Sequence, residues 1–224
     1  MRAPLSIIIP TLNAEGGLPV VLGTLIEGLE GGLIRELVVS DGGSGDASCE
    51  LAEAAGAEVV RGAAGRGGQL RRGADVARGE WLLFLHADTE LSAGWASVVQ
   101  AHIGGGQGAG YFRLAFDADG FAPRWVAGWA NLRARLFGLP YGDQGLLISR
   151  DLYDAVGGYA DMPLMEDVAM ARSLRGQLRM LPVVARTSAA RYRQAGWLRQ
   201  GGRNLWRLLR YLAGGDVDRL GRGY

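Results

Sequence analysis

The chain contains no lysine and only one cysteine, and these two gaps exclude several kinds of site. All 24 side chains in the Lys and Arg count are arginine. Without lysine there can be neither a Walker-type phosphate loop nor a lysine Schiff base. The lone Cys49 excludes an internal disulfide framework and a zinc site built from cysteines.

Long apolar runs and a strong net charge are also missing. No window approaches the roughly 18 apolar residues of a membrane-spanning helix. The amino terminus lacks the pattern of a secretory signal, so a cytoplasmic location is expected, alone or at a membrane surface. A formal net charge of +1 argues against nucleic acid as a partner. With 224 residues, 48% of them hydrophobic, the chain can bury one α/β core.

Strand-like and helix-like segments alternate in the amino-terminal part of the chain. Apolar, β-branched runs predict strands at 5–10, 34–40, 58–61 and 81–85. Helices are predicted at 17–29, after the glycine-rich turn at 41–48, and at 65–77. This order favours an α/β fold with a mostly parallel, right-handed, doubly wound sheet.

A histidine and a carboxylate follow the fourth predicted strand. The strand at 81–85 is an unbroken apolar run, typical of a strand buried on both faces, and His86-Ala87-Asp88-Thr89 comes directly after it. Ligands bind at the carboxyl edge of open α/β sheets. Because side chains two residues apart on an extended chain point the same way, His86 and Asp88 could face one cation. The alternative is a turn in which Asp88 caps the next helix.

The loops after the first two strands are expected to lie side by side at a nucleotide crevice. The first reads Pro-Thr-Leu-Asn-Ala-Glu over 10–15, and its lack of Gly-x-Gly-x-x-Gly counts against a nicotinamide or flavin enzyme. In the second loop, Asp41 could accept from a base or ribose, or could nucleate an Asx-turn. Three arginines near Gln69 could bind a diphosphate: Arg66, Arg71 and Arg72. For at least one of them, the alternative is an exposed position on a solvated helix face.

The carboxyl-terminal half has a less regular pattern. Helices are predicted at 91–103, 123–137, 150–156 and 166–176, and strands at 108–117 and 146–148. In the second of these helices, Trp125, Trp129, Leu132 and Leu136 recur at helical spacing, which is more often core than binding site. Glu166 and Asp167 open the last helix, where the helix dipole alone is a sufficient reason for carboxylates.

The last stretch, 186–224, predicts a basic amphipathic helix. Four leucines share one helical face: Leu198, Leu205, Leu209 and Leu212. Four arginines lie largely on the other: Arg199, Arg203, Arg207 and Arg210. Such a helix could lie on an anionic membrane surface or meet a second subunit. It could equally pack its leucines on the domain and leave its arginines in water, and packing is the favoured interpretation.

Taken together, these segments resemble family-2 glycosyltransferases of the GT-A fold, a Rossmann-like, three-layer αβα architecture. Within that family they resemble the small bacterial branch of radical-SAM/selenodomain-associated transferases 2. The resemblance covers nearly the whole chain and rests on motifs that occur in the family's order. They lie at 6–15, 39–44, 66–69 with 73–74, 83–89, 142–144 and 165–167.

The resemblance implies a role for each motif. Asp167 matches the family's catalytic base, and Asp88, together with His86, matches its site for Mn²⁺ or Mg²⁺. The nucleotide-binding residues that it implies are Pro10, Thr11, Asn13, Glu15, Asp41, Arg66, Gln69 and Ala87. The acceptor-side residues that it implies are Asp143, Gln144 and Glu166.

Two positions depart from the family's pattern. The metal motif of the wider family is Asp-x-Asp, and here His86 replaces the first Asp, which leaves Asp88 as the sole carboxylate. Either the metal affinity is weak, or His86 helps to bind Mn²⁺ better than Mg²⁺. Arg71 stands where the branch usually has Asn.

The predicted function is inverting transfer of a sugar from a nucleotide-diphosphate donor, with a UDP-sugar expected, to an unidentified hydroxyl acceptor. Within one GT-A domain over 1–224, the nucleotide-sugar half is expected at 1–89, the acceptor and catalytic half at 90–190, and the basic amphipathic helix at 191–224.

Two alternatives remain. A non-catalytic nucleotide- or membrane-surface-binding module is supported by His86 in place of Asp. A sugar-phosphate nucleotidyltransferase is disfavoured, because it normally needs a glycine-rich first loop and a lysine on phosphate.

Overall fold

The computed structural model describes residues 3–106 and 108–215. The strands are β1 (Leu5–Thr11), β2 (Ile34–Asp41), β3 (Glu58–Arg61), β4 (Trp81–Phe84), β5 (Thr89–Leu91), β6 (Ala109–Phe116), β7 (Leu146–Ser149) and β8 (Leu178–Thr187). The helices are α1 (Leu18–Glu30), α2 (Ser48–Ala54), α3 (Arg66–Val76), α4 (Trp95–Gly105), α5 (Phe121–Phe137), α6 (Arg150–Ala155), α7 (Glu166–Ser173), α8 (Ala190–Ala195) and α9 (Trp197–Leu212), with a 3-10 turn at Gly142–Gln144. None of the described helices is long and apolar enough to cross a lipid bilayer.

The strands form one sheet in the order β3-β2-β1-β4-β7-β6-β8-β5. In the amino-terminal part, β1 pairs in parallel with β2 and β4, and β2 with β3. Beyond β4 the sheet is mixed. Strand β7 runs antiparallel to both β4 and β6. Strand β5 runs antiparallel to β8. The pair β6–β8 is parallel. The predicted α/β fold is confirmed, and each antiparallel pair involves β7 or β8.

The first strand is buried on both faces, which makes it the centre of a three-layer structure. On one face, Ile7 and Ile9 pack in a core with Leu18 of α1 and Trp95 of α4. On the other face, Ile8 packs in a second core with residues of α3, α6 and α7. Helices on both faces of a central sheet give the αβα arrangement.

The sequence does not predict β5 or β8, and Pro182 explains why the longer of them is missed. A proline normally excludes a run of residues from an inner strand. Here the register of β6 against β8 shifts between Tyr111 and Arg113, whose partners are Met180 and Val184. Pro182 therefore falls in a bulge, where a missing N–H is tolerated.

The apolar stripe of α5 is exposed, so the prediction that it belongs to the core is wrong. The stripe consists of Trp125, Trp129, Leu132 and Leu136, which are 46–64% exposed. The opposite face of α5 packs inward instead, through small residues such as Val126 and Ala130. Small side chains let the helix lie close to β6 and leave the large ones outside.

The carboxyl-terminal segment also differs from the prediction. It contains two helices, α8 and α9, which meet at Gly196, a residue with a positive φ of 84° that glycine adopts without strain. The four leucines predicted to pack on the domain are 38–77% exposed. The helix buries Gln200, Arg207 and Leu208 in their place. The end of the predicted segment, 216–224, lies outside the described residues.

One buried side chain, Gln69 of α3, joins the ends of β1 and β2. Its Nε2 donates hydrogen bonds to the carbonyl oxygens of Thr11 at 2.7 Å and Ser40 at 2.9 Å. Its Oε1 accepts from the Gly65 N–H at 3.2 Å. The amide therefore fixes the spacing of two loops that follow neighbouring strands.

We expect Gln69→Leu to lower the free energy of unfolding by about 2–4 kcal/mol, because it removes the three hydrogen bonds of the buried amide, although the Thr11 carbonyl oxygen keeps its bond from the Gly42 N–H at 2.9 Å. Urea unfolding measures the change. The matched control is Gln100→Leu, the same substitution at an exposed position of α4, for which about 0.5 kcal/mol or less is expected. Equal effects of the two substitutions would contradict the role of Gln69.

Candidate active site

A cavity of about 790 Å³ lies beyond the carboxyl ends of β1 and β4. Eleven of the predicted site residues line it: Pro10, Thr11, Asn13, Arg66, Gln69, His86, Ala87, Asp88, Asp143, Glu166 and Asp167. Glu15, Asp41 and Gln144 do not line it. Of the three arginines near Gln69, only Arg66 reaches the wall, whereas Arg71 is exposed and Arg72 donates to the Asp41 carbonyl oxygen at 3.2 Å.

The carboxylate of Asp41 lies directly behind the cavity wall and accepts hydrogen bonds from Thr11 and from its own loop. Its Oδ1 accepts from the Thr11 and Ser44 hydroxyls at 3.1 and 2.5 Å, and its Oδ2 accepts from the N–H groups of Gly43 and Ser44 at 2.8 and 2.9 Å. Burial raises the pKa of Asp41, but these hydrogen bonds outweigh it and leave the pKa below its ordinary value. The side chain forms an Asx-turn, and contact with a base stays a prediction.

Side chains of the first loop hold the second loop in place. The Asn13 amide oxygen accepts from the Gly45 N–H at 2.9 Å. Glu15 Oε2 accepts from the Ala47 N–H at 3.1 Å, next to the start of α2. Asn13 itself has a positive φ of 50°, a conformation that asparagine tolerates better than most residues. Glu15 thus connects the loops after β1 and β2 from outside the cavity.

Asp88 lies where the start of α1 comes close to the turn after β4. A Cβ on Gly17 would lie 2.7 Å from the Ala87 carbonyl oxygen, so only glycine permits this approach. Thr187 at the end of β8 donates a hydrogen bond of 3.4 Å to Asp88 Oδ1. Burial raises the pKa of Asp88, and the charges of Arg191 and Arg66 offset part of that rise. Asp88 therefore lies in a positive field at the cavity wall.

The neighbouring His86 is neutral at physiological pH. Its pKa lies well below the ordinary value, chiefly because of burial and further because of the charges of Arg66 and Arg191. Its Nε2 is close to Gly142, where an added Cβ would lie 2.5 Å from that nitrogen. A neutral imidazole is the form that binds metals, but this nitrogen is directed at backbone.

A divalent cation fits the site only if a substrate supplies most of its ligands. Among residues 3–106 and 108–215, no group of three or more His, Cys, Asp or Glu side chains could hold a metal. Asp88 offers one carboxylate beside His86. Mg²⁺ is commonly bound by one or two carboxylates together with substrate phosphates and waters. The residues present therefore suit a cation that is shared with a diphosphate.

Asp167 is held at the start of α7 by two backbone donors. Its Oδ2 accepts from the Gly142 N–H at 2.8 Å and its Oδ1 from the Val168 N–H at 2.7 Å. The preceding Met165 has a positive φ of 66°, an unfavourable conformation for a residue with a long side chain. This conformation places both Glu166 and Asp167 at the cavity.

Glu166 is a buried carboxyl group with a raised pKa. It is 2% exposed, and its Oε1 lies 3.6 Å from Arg66 Nη1. Burial and the adjacent Asp167 raise the pKa of Glu166 to about 7, and Arg66 offsets this only in part. The group can therefore gain or lose a proton near neutral pH.

The two other predicted acceptor-side residues have different positions. Asp143 lines the cavity, and its pKa is raised to about 6, chiefly by burial, with Asp167 and Asp88 adding to the rise and Arg133 opposing it. Gln144 is fully buried, and its Nε2 donates to the Phe112 carbonyl oxygen at 3.1 Å and to Asn131 Oδ1 at 3.3 Å. Gln144 therefore supports the 3-10 turn that presents Asp143.

The sequence does not identify the wall contributed by β8, α8 and α9. From this region Arg191, Tyr192, Gln200, Asn204 and Arg207 line the cavity. In α9 the last three recur at intervals of four and three residues and form one face. This polar stripe opposite the leucines is a sequence signal that could have indicated a second contact surface.

The fold and the cavity together define a class: an α/β protein with a carboxylate- and arginine-lined cleft at the carboxyl edge of its sheet, the usual position of a nucleotide site. The model of the family Glycosyl transferase family 2 matches residues 6–159. The chain belongs to this family.

Curated relatives agree with this assignment. The chain is 33% identical over 170 residues to the PGL/p-HBAD biosynthesis glycosyltransferase of Mycobacterium bovis (strain BCG / Pasteur 1173P2), which covers 71% of this chain and 64% of the relative. A protein of the same description in Mycobacterium tuberculosis (strain ATCC 25618 / H37Rv) matches equally. The chain thus spans less than two thirds of the length of these relatives.

Solved structures show that the fold is GT-A. S. aureus TarS 1-349 in complex with UDP-GlcNAc is similar with a TM-score of 0.62 and 16% identity, covering 82% of this chain and 58% of TarS 1-349. Glucosyl-3-phosphoglycerate synthase from Mycobacterium tuberculosis, in complex with Mn²⁺, UDP and glucosyl-3-phosphoglycerate, has a TM-score of 0.57 and 19% identity, covering 95% of this chain and 81% of that one. At these identities the likeness concerns the fold alone.

We expect Glu166→Gln to become more stable than the wild type as the pH rises. With the pKa raised from 4.5 to about 7, the folded protein holds a proton that the unfolded chain releases. Wild-type stability is therefore fully present below the unfolded pKa and falls as the pH rises toward the folded pKa. The variant lacks this loss, and its advantage should reach on the order of 2 kcal/mol above neutral pH.

Urea unfolding between about pH 5 and about pH 8 measures this difference. Glu50→Gln, at an exposed position in the first turn of α2, controls for the substitution. A stability difference between Glu166→Gln and the wild type that does not change with pH would contradict the buried, protonated carboxyl.

Proposed function

We propose that the protein is an inverting glycosyltransferase that moves a sugar from a nucleotide-diphosphate donor to a hydroxyl acceptor. Residues 1–89 bind the nucleotide-sugar, and residues 90–190 supply the acceptor side and the base. The observation that carries the proposal is that Asp88, at the end of β4, and Asp167, at the start of α7, line the same cavity. Family membership supports the reaction class.

A UDP-sugar is the proposed donor. TarS 1-349 has been solved with UDP and with UDP-GlcNAc, and the mycobacterial synthase with UDP. On the nucleotide side of the cavity, Thr11, Asn13 and Arg66 lie on the loops that Gln69 and Asp41 hold in place. Arg66 and Arg191 bring positive charge to the part of the wall that contains Asp88. Such charge suits a diphosphate leaving group.

The proposed reaction is a direct displacement at the anomeric carbon. The acceptor oxygen forms a bond to this carbon while the bond from the carbon to the donor diphosphate breaks, and the hydroxyl proton passes to Asp167. The Gly142 and Val168 N–H groups orient the carboxylate, as a positioned base requires. Because attack and departure occur on opposite faces of the sugar, the anomeric configuration inverts.

Asp88, with His86 beside it, is the proposed place of Mn²⁺ or Mg²⁺. When bound, the cation would neutralise charge that develops on the leaving diphosphate. Arg66 and Arg191 supply positive charge to the same region from the protein itself.

The acceptor side is proposed from the remaining residues of the cavity. Asp143 and Glu166 offer carboxyl groups, and Gln144 acts indirectly by supporting the turn that carries Asp143. The curated relatives are named for PGL/p-HBAD biosynthesis, and for this chain the acceptor is proposed only as a hydroxyl compound. The narrower likeness to the radical-SAM-associated branch stays a prediction.

A non-catalytic nucleotide-binding module is the competing candidate. One observation favours it: the described residues contain no set of three metal-binding side chains. Such a module would bind a UDP-sugar without hydrolysing it and without transferring its sugar. Binding and turnover therefore have to be measured separately.

We expect Asp167→Asn to lower kcat for sugar transfer by about 10²–10⁴-fold, because the amide cannot accept the proton. The affinity for UDP should stay within about threefold, since the variant keeps the size of the side chain and one oxygen that can still accept from the Gly142 or the Val168 N–H. Turnover of the UDP-sugar and titration calorimetry with UDP measure the two effects.

The matched control for this variant is Asp151→Asn, which changes an exposed aspartate in the first turn of α6. It should leave both quantities unchanged. Full activity of Asp167→Asn would remove Asp167 from the mechanism, and UDP binding without turnover in the wild type would favour the module.

We expect Asp88→Asn to weaken Mn²⁺-dependent UDP binding by at least about tenfold, because the only carboxylate of the metal motif is lost. Binding measured with EDTA in place of Mn²⁺ should be the same in both proteins. Asp154→Asn, at an exposed position of α6, is the control. If the wild type binds UDP equally with Mn²⁺ and with EDTA, the cation site at Asp88 is wrong.

A further inference from the structure

Helix α5 presents a row of large apolar side chains to solvent. Phe121, Trp125, Trp129, Leu132 and Leu136 are 83%, 55%, 46%, 46% and 64% exposed. Their spacing of three or four residues places them along one side of the helix. A soluble protein rarely leaves such a continuous row uncovered, and a larger apolar patch marks an interaction site.

Helix α9 packs against α5 and has a similar row. Leu198, Leu205, Leu209 and Leu212 are 77%, 38%, 56% and 43% exposed. The other side of the same helix faces the cavity through Gln200, Asn204 and Arg207. The leucines of α9 therefore lie on the side away from the cavity, where they are partly exposed to solvent.

The charge around these two rows has one sign. Residues 120–142 and 188–215 contain nine arginines and no aspartate or glutamate. The rest of the chain has 15 arginines and 23 acidic residues, a formal charge of −8. Two of the nine, Arg133 and Arg207, are buried, and Arg193 pairs with Asp117 at 3.4 Å. Arg191 lines the cavity near Asp88. The other five, Arg124, Arg135, Arg199, Arg203 and Arg210, are exposed on α5 and α9.

The aromatic content is that of a membrane interface. Three of the six tryptophans, Trp125, Trp129 and Trp206, are exposed on α5 and α9. The Arg210 guanidinium lies 4.9 Å from the centre of the Trp206 ring. Tryptophan is enriched at the level of lipid headgroups, and arginine beside apolar residues on a surface helix is typical of binding to anionic lipids.

We propose that the exposed face of α5 and α9 docks on an anionic lipid bilayer, with its leucines and aromatic rings at the boundary of headgroups and acyl chains and its arginines on lipid phosphates. A second copy of the chain is a poorer occupant. A two-fold symmetric dimer through this face would bring the same basic surface against itself, and neither copy offers an acidic residue in these segments. The proposal is independent of the reaction proposed above.

Docking on this face connects the bilayer to the cavity through a single helix. The leucine side of α9 contacts lipid while its Gln200 side forms part of the cavity wall. An acceptor carried in the membrane would then meet the cavity beside α9. Docking of this kind does not require any of the described helices to span the bilayer.

The test is cosedimentation of the purified chain with vesicles of phosphatidylcholine, with and without about 30% phosphatidylglycerol. The wild type should bind the anionic vesicles, and binding should weaken when salt rises above about 0.1 M because the charges are screened. The exposed tryptophans should give a blue shift of fluorescence on binding. The neutral vesicles should bind at least about tenfold more weakly.

Two double variants separate the apolar and the charged contributions. Leu198→Gln with Leu209→Gln, and Arg124→Glu with Arg199→Glu, should each weaken binding at least about tenfold. The matched controls are Ile26→Gln with Leu29→Gln, which are 53% and 64% exposed on α1, and Arg35→Glu with Arg175→Glu, which are exposed elsewhere. All four substitution pairs are at exposed positions, and circular dichroism verifies the fold.

The proposal is overturned if the wild type does not bind anionic vesicles, or if the variants bind as tightly as their controls. Light scattering over a range of concentrations tests the competing occupant. A dimer that Leu198→Gln with Leu209→Gln dissociates, in a protein that ignores vesicles, would make this face an interface between copies. Because vesicle binding is measured without substrate, a failure of the proposed enzyme activity would not affect this result.

Discussion

The cavity depends on the hydrogen bonds that join the ends of β1 and β2. Gln69 bridges the carbonyl oxygens of Thr11 and Ser40, and Asp41 accepts from Thr11 and from its own loop. Both side chains are buried, so each hydrogen bond acts in a low dielectric, where it is strong when made and costly when missing. These bonds fix the positions of the loops that carry Asn13 and Arg66. In this protein a polar network inside the wall, rather than apolar packing alone, sets the shape of this part of the cavity.

One part of the cavity wall concentrates carboxyl groups in a place where they are difficult to ionise. Burial is the largest cause of the raised pKa of Asp88, Asp143 and Glu166, and neighbouring carboxylates add to it for the last two. A core that served stability alone would not collect such groups, and perturbed carboxyls in a cleft are typical of functional sites. Arg66 and Arg191 bring the compensating charge. Burial is the main cause of the lowered pKa of His86, and the same two arginines lower it further.

Helix α9 has two working surfaces, and this changes how the carboxyl-terminal segment is understood. One side lines the cavity with Gln200 and Asn204, and the other presents leucines to solvent. In α5 the small residues pack inward and the tryptophans point outward. Both helices therefore reverse the usual expectation that the largest apolar side chains of an amphipathic helix enter the core. Neither helix contains an acidic residue. The proposed docking on an anionic lipid surface would account for both the exposed apolar side chains and this lack of negative charge.

The sequence by itself determined the strand and helix order around Ile8, the buried strand that ends at His86, and the motifs that name the family, because these depend on local periodicity and on residues adjacent in the chain. It did not indicate β8, because Pro182 fits this strand only at the bulge that β8 forms where it pairs with β6. It also could not decide whether Asp41 faces a ligand, because that depends on whether Ser44 and Thr11 already donate hydrogen bonds to its carboxylate. Only the tertiary structure decided which face of an amphipathic helix is covered. Periodicity shows that a helix has two different faces, but burial depends on the elements that pack against each face.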